Sequence, residues 1–311
     1  MDRRDIFPRS LQYLIAIAEY GSYTRAAEAL HVSQPTLSQQ IKQLEEYLQS
    51  PLLDRSGRTV QLTDAGKIFL RHARRAWGEL NIGTRAIQDV QDLSRGSLRL
   101  GWTPITDYLT CDLLSRYNRM YPGITLSTLD MPQDDIEPAI SEARIDIGIT
   151  FSKPLDSEEN SSHTETFTLF EEALYLAVGE THPRRIRKRK RITAQDFGKE
   201  SLVQLNTDFA LRHHIDRYCH DCGIEPRNVI ETNSLTVIIE MVELGSLATV
   251  LPSTIINTQD GLYPIAVVPE LPHHTVSMIW HKSGYKSPAC LAFLELASSW
   301  SANMLQEKRL G

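Results

Sequence analysis

From Asp64 to about Leu93 the chain runs without a proline. Within that run Phe69, Ala73, Ala76, Leu80, Gly83, Ile87 and Val90 succeed one another at intervals of 4, 3, 4, 3, 4 and 3 residues. This is a heptad seam on one long helix, kept for about three heptads. Such a seam needs cover. A helix packed on its own domain would supply it, but a 3.5-residue repeat held this long favours a coiled coil with a second helix. Ala73, Ala76 and Gly83 would let the two backbones approach closely. Ser94-Arg95-Gly96 then breaks the helix and marks a hinge. The chain is therefore expected to divide into an N-terminal body over residues 1–63, a dimerising linker helix over 64–95 and a C-terminal body over 96–311, in keeping with a length of 311 residues.

In the N-terminal body, Leu11, Leu14, Ile15 and Ala18 have the spacing of a buried helix face, and Gly21 stops that helix. Ser22 can cap a second, shorter helix with Ala26, Ala27 and Leu30 inside. After the turn His31-Val32-Ser33 a third helix carries Leu37, Ile41, Leu44 and Leu48 on one side, with Ser33 as N-cap and Pro35 in the first turn, where missing amide donors cost little. Two short helices across a tight turn, braced by a third, form a helix-turn-helix pattern. The outward positions of the third helix, Gln34, Thr36, Ser38, Gln39, Lys42 and Gln43, are rich in amides and hydroxyls. Such groups suit base edges in the major groove, and Lys42 suits a phosphate; the alternative is a plain solvated face.

The segment after this helix tells against a plain solvated face. PLLDRSGRTVQLTDAG sets Leu52-Leu53 and Val60 to Leu62 around Ser56-Gly57-Arg58, a hairpin signal with Arg55 and Arg58 near its tip. A basic hairpin beside a recognition helix is a wing able to reach phosphates or the minor groove. HVSQPTLSQQIKQLEEYL together with this segment resembles the winged helix-turn-helix of LysR-type transcriptional regulators. The resemblance implies that Gln34, Pro35, Thr36, Ser38 and Gln39 approach bases or phosphates and that Arg55 and Arg58 are wing contacts. Thr24, Arg25, Ser33 and Lys42 complete the expected DNA-facing set. Many family members carry Arg where this chain has Gln39. The family's proteins pair through the linker helix and often form tetramers, so a homodimer or homotetramer is expected, with promoter DNA and possible contact to RNA polymerase as partnerships.

The C-terminal body alternates strand and helix. SLRLGW, the polar turn Thr103 to Asp107, a helix over Tyr108 to Tyr121, ITLSTLDM, a helix over Asp134 to Ala143 and IDIGITF form one βαβ run. The pattern restarts at ALYLAV and continues through SLVQL, a helix around Ala210 to Cys219, VIETN and a helix over Leu235 to Leu244. Two such units imply a cleft, and ligands in open α/β sheets sit beyond the carboxyl ends of strands. Thr103, Pro104, Thr150, Phe151, Asn206, Thr207, Asn233 and Ser234 stand at those ends. Their hydroxyls, amides and backbone N–H groups suggest a small anionic effector, although each could equally be a helix cap.

RGSLRLGWTP, YPGITL, IDIGI and ATVLP extend the resemblance over nearly the whole chain. It implies an all-α winged helix-turn-helix and linker helix joined to an α/β effector domain of two Rossmann-like subdomains, similar to a type 2 periplasmic binding protein. Subdomain I would hold about 96–162 and 267–300, and subdomain II about 163–266, with crossing strands near Ser162 to Phe167 and Val267. DRSGRTVQLTDAG, RAIQDVQDLSRGSLRL and NVIETNS look most like the regulators of cyanate-utilisation operons.

Charge and motifs exclude other classes. The chain carries a net charge of -6; residues 1–95 hold 13 Lys and Arg against 11 Asp and Glu, which leaves -8 on the remainder, so a polyanion is expected at the N-terminal end. RRIRKRKR, Arg184 to Arg191, lies in the second unit and is expected to be a solvated loop partly neutralised by nearby acids. The N-terminus does not read as a signal peptide and no apolar run nears membrane length, so the protein is expected in the cytoplasm, bound to the nucleoid through DNA. Cys219-His220-Asp221-Cys222, with His213 and His214 upstream, resembles only half a metal site, and no metal or other cofactor is expected. Walker, GxGxxG, HExxH and GxSxG motifs are missing from the sequence, so an enzyme is not expected. The rival reading is an enzyme or solute-binding protein whose N-terminal helices merely dimerise.

Overall fold

The computed structural model describes residues 7–56, 59–88, 96–152 and 163–310. The expected wing contact Arg58, the last seam residue Val90 and the hinge residues Ser94 and Arg95 lie outside them. Backbone contacts divide the chain into two compact units, one covering Met1–Val90 with Ser141–Arg144 and the other the remainder.

The first unit opens with helices α1 (Phe7–Tyr20), α2 (Tyr23–Ala29) and α3 (Gln34–Leu48), then strands β1 (Leu53–Asp54) and β2 (Gln61–Leu62), then helix α4 (Asp64–Gln88). Gly21 ends α1 in the left-handed region at φ 59°, with its amide donating to the Ile17 carbonyl at 2.9 Å. Ser22 caps α2 and Ser33 caps α3 by accepting the amides of Arg25 and Thr36. Leu14, Ile17, Ala26, Leu37, Ile41 and Leu44 make the centre of the core. On α1 the buried stripe is wider than its spacing suggests: Ile17 is fully buried, whereas Ile15 and Ala18 are only half-buried. β1 and β2 pair antiparallel, Leu53 opposite Leu62, as the hairpin signal predicts.

The second unit starts with β3 (Gly96–Trp102), α5 (Pro104–Met120), β4 (Ile124–Asp130), α6 (Gln133–Ser141), β5 (Ile147–Ser152) and β6 (Thr164–Glu172). It continues with β7 (Leu174–Gly179), α7 (Pro183–Ile186), β8 (Arg191–Thr193), α8 (Ala194–Phe197), β9 (Ser201–Leu205), α9 (Ala210–Asp221) and β10 (Arg227–Thr232). Then come α10 (Leu235–Leu244), β11 (Ala248–Pro252), α11 (Ser253–Asn257), β12 (Leu262–Val268), β13 (His274–His281) and α12 (Pro288–Leu310). One sheet has the order β4-β3-β5-β13-β6 and the other β10-β9-β11-β7-β12-β8. In the first sheet β3 runs parallel to β4 and β5, while β13 is antiparallel to β5 and β6.

This topology moves the expected subdomain boundary. Residues 164–172 belong to the first sheet through eight paired positions with β13, and the chain passes into the second sheet across the single residue Ala173. It returns between Val268 and His274, after a cis peptide at Val268-Pro269. Glu172, fully buried at the first crossing, accepts the hydroxyls of Ser253 and Thr254 at 2.9 and 2.6 Å and so ties β6 to α11. A buried carboxylate is tolerable there because hydrogen bonds replace its lost hydration.

Candidate functional site

In the first unit, burial of Leu37, Ile41 and Leu44 fixes which side of α3 faces outward. Gln34, Pro35, Thr36, Gln39 and Lys42 are exposed, and Ser38 is half-buried. Thr24 and Arg25, in the first turn of α2, are exposed too. The Ser33 and Thr36 hydroxyls lie 2.7 Å apart, so part of this polar end is already engaged in the helix cap. Lys42 forms only a loose pair with Glu46, 3.7 Å away and just as exposed, which water and salt weaken.

Arg55 has a different setting. Its Nη2 donates to Glu45 Oε2 at 3.0 Å, and Glu45 Oε1 accepts the backbone amides of Leu52 and Leu53 at 2.8 and 3.1 Å. Glu45 thus fastens the base of the wing to α3, and Arg55 is held at that junction. The reading of the sequence missed Glu45 because it sought cations and amides.

On α4 the seam divides in two. Ala73 is buried, and Phe69 is half-buried against the core of its own unit, whereas Ala76, Leu80, Gly83 and Ile87 are exposed. Leu80 and Ile87 leave 53% and 77% of their surface open, an apolar strip with no cover from this chain among the described residues.

In the second unit, a cavity of about 410 Å³ opens beyond the ends of β3, β4 and β10. Pro104, Asn233 and Ser234 line it, joined by Asp107, Asp130 and Phe209. A second cavity of about 330 Å³ is lined by Phe151, Gln133, Asp134, Asp208, His214 and Arg217, among others. The expected strand-end residues therefore do not all meet. The amide of Thr103 donates to Thr106 Oγ1 at 3.0 Å and its side chain is buried within the start of α5. Thr150 donates to the Ser277 carbonyl at 3.3 Å, pinning β5 to β13. Asn206 Oδ1 accepts the Asp208 amide at 3.2 Å, and Thr207 is exposed outside both cavities.

The charge of the larger cavity differs from expectation. Its ionisable carboxylates are Asp107 and Asp130, and among the described residues no Lys, Arg or His lines it. Burial, reinforced by the charge of Asp130, pushes the Asp107 carboxyl up to about 6 despite the hydrogen bond from the Tyr108 amide. An anion placed here would meet two carboxylates beside the expected Asn233 and Ser234. Asp130 stands at the end of β4, so the rule that ligands gather beyond strand ends applied to it as well.

Two residues that line the second cavity, His214 and Phe151, both contact the His274 ring. His274 Nε2 contacts His214 Nδ1, and the His274 ring stacks on Phe151 with centroids 4.5 Å apart. Burial, with His214 adding to it, drives the His274 pKa down to about 3. Burial likewise pushes the Cys219 and Cys290 thiols up to about 12 and raises Cys111. Among the described residues no cluster of three or more His, Cys, Asp or Glu is placed to hold a metal.

Comparison with known proteins matches residues 8–67 to the bacterial regulatory helix-turn-helix family named for LysR and residues 91–302 to the LysR substrate binding domain. The chain belongs to the LysR family of transcriptional regulators. An HTH-type transcriptional regulator of Bacillus subtilis, YwbI, is 30% identical over 297 residues, 94% of this chain and 96% of the relative. The hydrogen peroxide-inducible genes activator of Dickeya chrysanthemi is 28% identical over 300 residues, 95% of each chain. Full-length CbnR in complex with its target DNA is 25% identical, with a TM-score of 0.65 over 94% of this chain and 99% of that one. As a LysR-family member the protein is a DNA-binding transcriptional regulator with an effector-binding domain, and its relatives are regulators rather than enzymes. Among the described residues no helix is long and apolar enough to cross a membrane.

Within this LysR-family chain the cationic run is not uniform. Arg184 pairs with Glu200 at 2.7 Å and reaches Asp196 at 3.6 Å, while Arg185 lies over the Tyr263 ring at 3.5 Å and 3.6 Å from Glu180. Arg187 to Arg191 are exposed. The expected partial neutralisation is thus confined to the start of the run.

Proposed function

We propose that this regulator reads promoter DNA with the outward face of α3, works as a dimer or tetramer through the open strip of α4, and changes its DNA contacts when a small ligand occupies the cleft of its effector domain. The observation that carries this reading is the arrangement of Gln34, Thr36, Gln39 and Lys42 on the exposed side of a helix whose other side is fixed by Leu37, Ile41 and Leu44. Amides and hydroxyls on such a face can bond base edges, and Lys42 neutralises a phosphate. Paired α4 strips would set two reading heads on successive half-sites. A ligand shifts that arrangement only if it binds two states of the protein with different affinity. The cytoplasm is the compartment in which such DNA is met, and RNA polymerase is the partner through which promoter occupancy would act.

A cyanate response, expected from the finer resemblance, draws no support from the larger cavity, whose two carboxylates would repel that anion. A peroxide response, the property in the name of the Dickeya relative, draws none from Cys111, Cys219 or Cys290. Thiolates are the nucleophiles toward peroxides, and raised pKa values keep these three protonated.

Selection of genomic fragments by the purified full-length protein tests the reading. The wild type should enrich a small set of sites, including DNA flanking its own gene, and Gln34→Ala with Gln39→Ala should lose that enrichment. Equal enrichment by the variant would reject α3 as the reading element.

A further inference from the structure

The reading of the larger cavity as the effector site leaves open what kind of molecule enters it, and the lining restricts the answer. Asp107 belongs to the first turn of α5 and Asp130 ends β4, so two separate elements bring a carboxylate to one cavity. Each is anchored through a single oxygen: Oδ1 of Asp107 accepts the Tyr108 amide at 2.6 Å, and Oδ1 of Asp130 accepts Trp102 Nε1 at 2.6 Å. Asp107 is half-buried and Asp130 exposed, and among the described residues neither makes an ion pair within 4.0 Å, although Asp146 pairs with Arg99 and Glu200 with Arg184 in the same unit. Among the described residues no basic side chain lines the cavity. The rings of Tyr108 and Phe209 and the side chain of Leu235 contribute apolar surface that suits a short carbon skeleton and the face of a cation.

We propose that the effector carries a protonated amine or guanidinium group, held between the Asp107 and Asp130 carboxylates, with its carbon skeleton against Tyr108 and Phe209. Asp107 is half-buried beside the exposed Asp130, and a cation is the ligand that relieves the repulsion between the two carboxylates and the lost hydration of Asp107. The raised pKa of Asp107 records the cost of its burial and of the neighbouring Asp130 charge. An ammonium group offers three donors, one for each of the Asp107, Asp130 and Asn233 side chains that line the cavity. The shared chemistry is the protonated amine, which either a simple alkylamine or an amino acid would bring.

This inference rests on the cleft being the effector site, and the experiment separates the two. Thermal unfolding of the full-length protein is followed with putrescine and agmatine, with lysine and arginine, with succinate and benzoate, and with Mg2+ or Ca2+ alone. At least one amine should raise the Tm by about 2 °C or more at millimolar concentration. Asp107→Asn and Asp130→Asn should each weaken its apparent affinity by about tenfold or more, whereas Asp208→Asn in the neighbouring cavity should leave the response intact. Whether the amino acids or the simple amines act more strongly identifies the source.

The charge assignment falls if only carboxylates raise the Tm and Asn233→Ala abolishes their effect, an outcome that keeps the cleft as the site. It also falls if divalent cations alone act, or if no amine shifts the Tm. Amine protection unchanged in both aspartate variants, but abolished by substitution elsewhere, would reject the cleft as the site.

Discussion

Arg55 is held by Glu45, Nη2 to Oε2 at 3.0 Å, and the same carboxylate accepts two backbone amides at the base of the wing. The pair is asymmetric: the Glu45 side chain is 15% exposed and that of Arg55 47%. Glu45→Ala would leave two amides without their acceptor and is expected to destabilise the first unit by about 2 kcal/mol or more. Arg55→Ala, which loses a half-exposed ion pair, should cost less than about 1 kcal/mol. Denaturant unfolding of the two variants measures the difference; a larger loss for Arg55→Ala would contradict the assignment of Glu45 as the wing's anchor.

Gly66 permits the start of α4 to pass directly beneath the wing. A Cβ added there would fall on the Leu52 carbonyl oxygen, a backbone atom that cannot swing aside. Gly66→Ala is therefore expected to cost about 2–3 kcal/mol, against the gain of about 1 kcal/mol that the same change gives in an open helix. Thermal melting reads this directly, and a Tm equal to or above that of the wild type would refute the close approach.

Leu80 and Ile87 test the strip along α4. Replacing both with Glu places like charges along an interface that would otherwise exclude water, so the protein should dissociate to monomers at micromolar concentration in sedimentation velocity. Ile68→Glu, at an exposed residue outside the seam, serves as the control and should leave assembly unchanged. An intact oligomer in the double variant would place the interface elsewhere.

Half-buried Asp107 and buried His274 give the effector domain opposite responses to pH. Asp107 is raised to about 6, above its unfolded value near 4, so the native state holds the proton more tightly and stability falls as pH rises between those values. His274 is lowered to about 3, below its unfolded value near 6.5, so the unfolded state takes up the proton first and stability falls as pH drops below about 6.5. Relative to the wild type, Asp107→Asn should gain stability from pH 4 to 6 and then level off, and His274→Phe should gain as pH falls from 6.5 to 4. Tm profiles between pH 4 and 8 check both signs; parallel curves for either variant would refute the corresponding group.

The legible parts of the sequence were those in which local chemistry and burial coincide. Ser33, Pro35 and the Leu37, Ile41, Leu44 spacing mark α3 because cap, first turn and buried stripe all belong to one helix packed from one side. On α4, spacing could not separate Phe69 and Ala73, which turn toward their own unit, from Leu80 and Ile87, which lie open; one periodicity serves two neighbours. The first crossing between sheets, expected near Ser162 to Phe167, was misplaced for a different reason: β6 passes into β7 through Ala173 alone, with no Gly or Pro to mark the change. In the cleft, Pro104, Asn233 and Ser234 were legible because they stand at helix starts. Asp107 and Asp130 were not, because an expected anion directs attention to donors and away from carboxylates.

The central claim is that α3 reads the promoter, and that the far more basic run Arg187 to Arg191 does not. Binding to a selected promoter fragment and to random DNA of equal length, titrated against salt, measures this directly. Lys42→Ala should weaken binding to both DNAs and lower the salt slope by about one unit, and Gln39→Ala should reduce the preference for the promoter. Replacing all five cations of the run with Gln should preserve that preference. A promoter preference lost with the run and kept by both α3 variants would contradict the account.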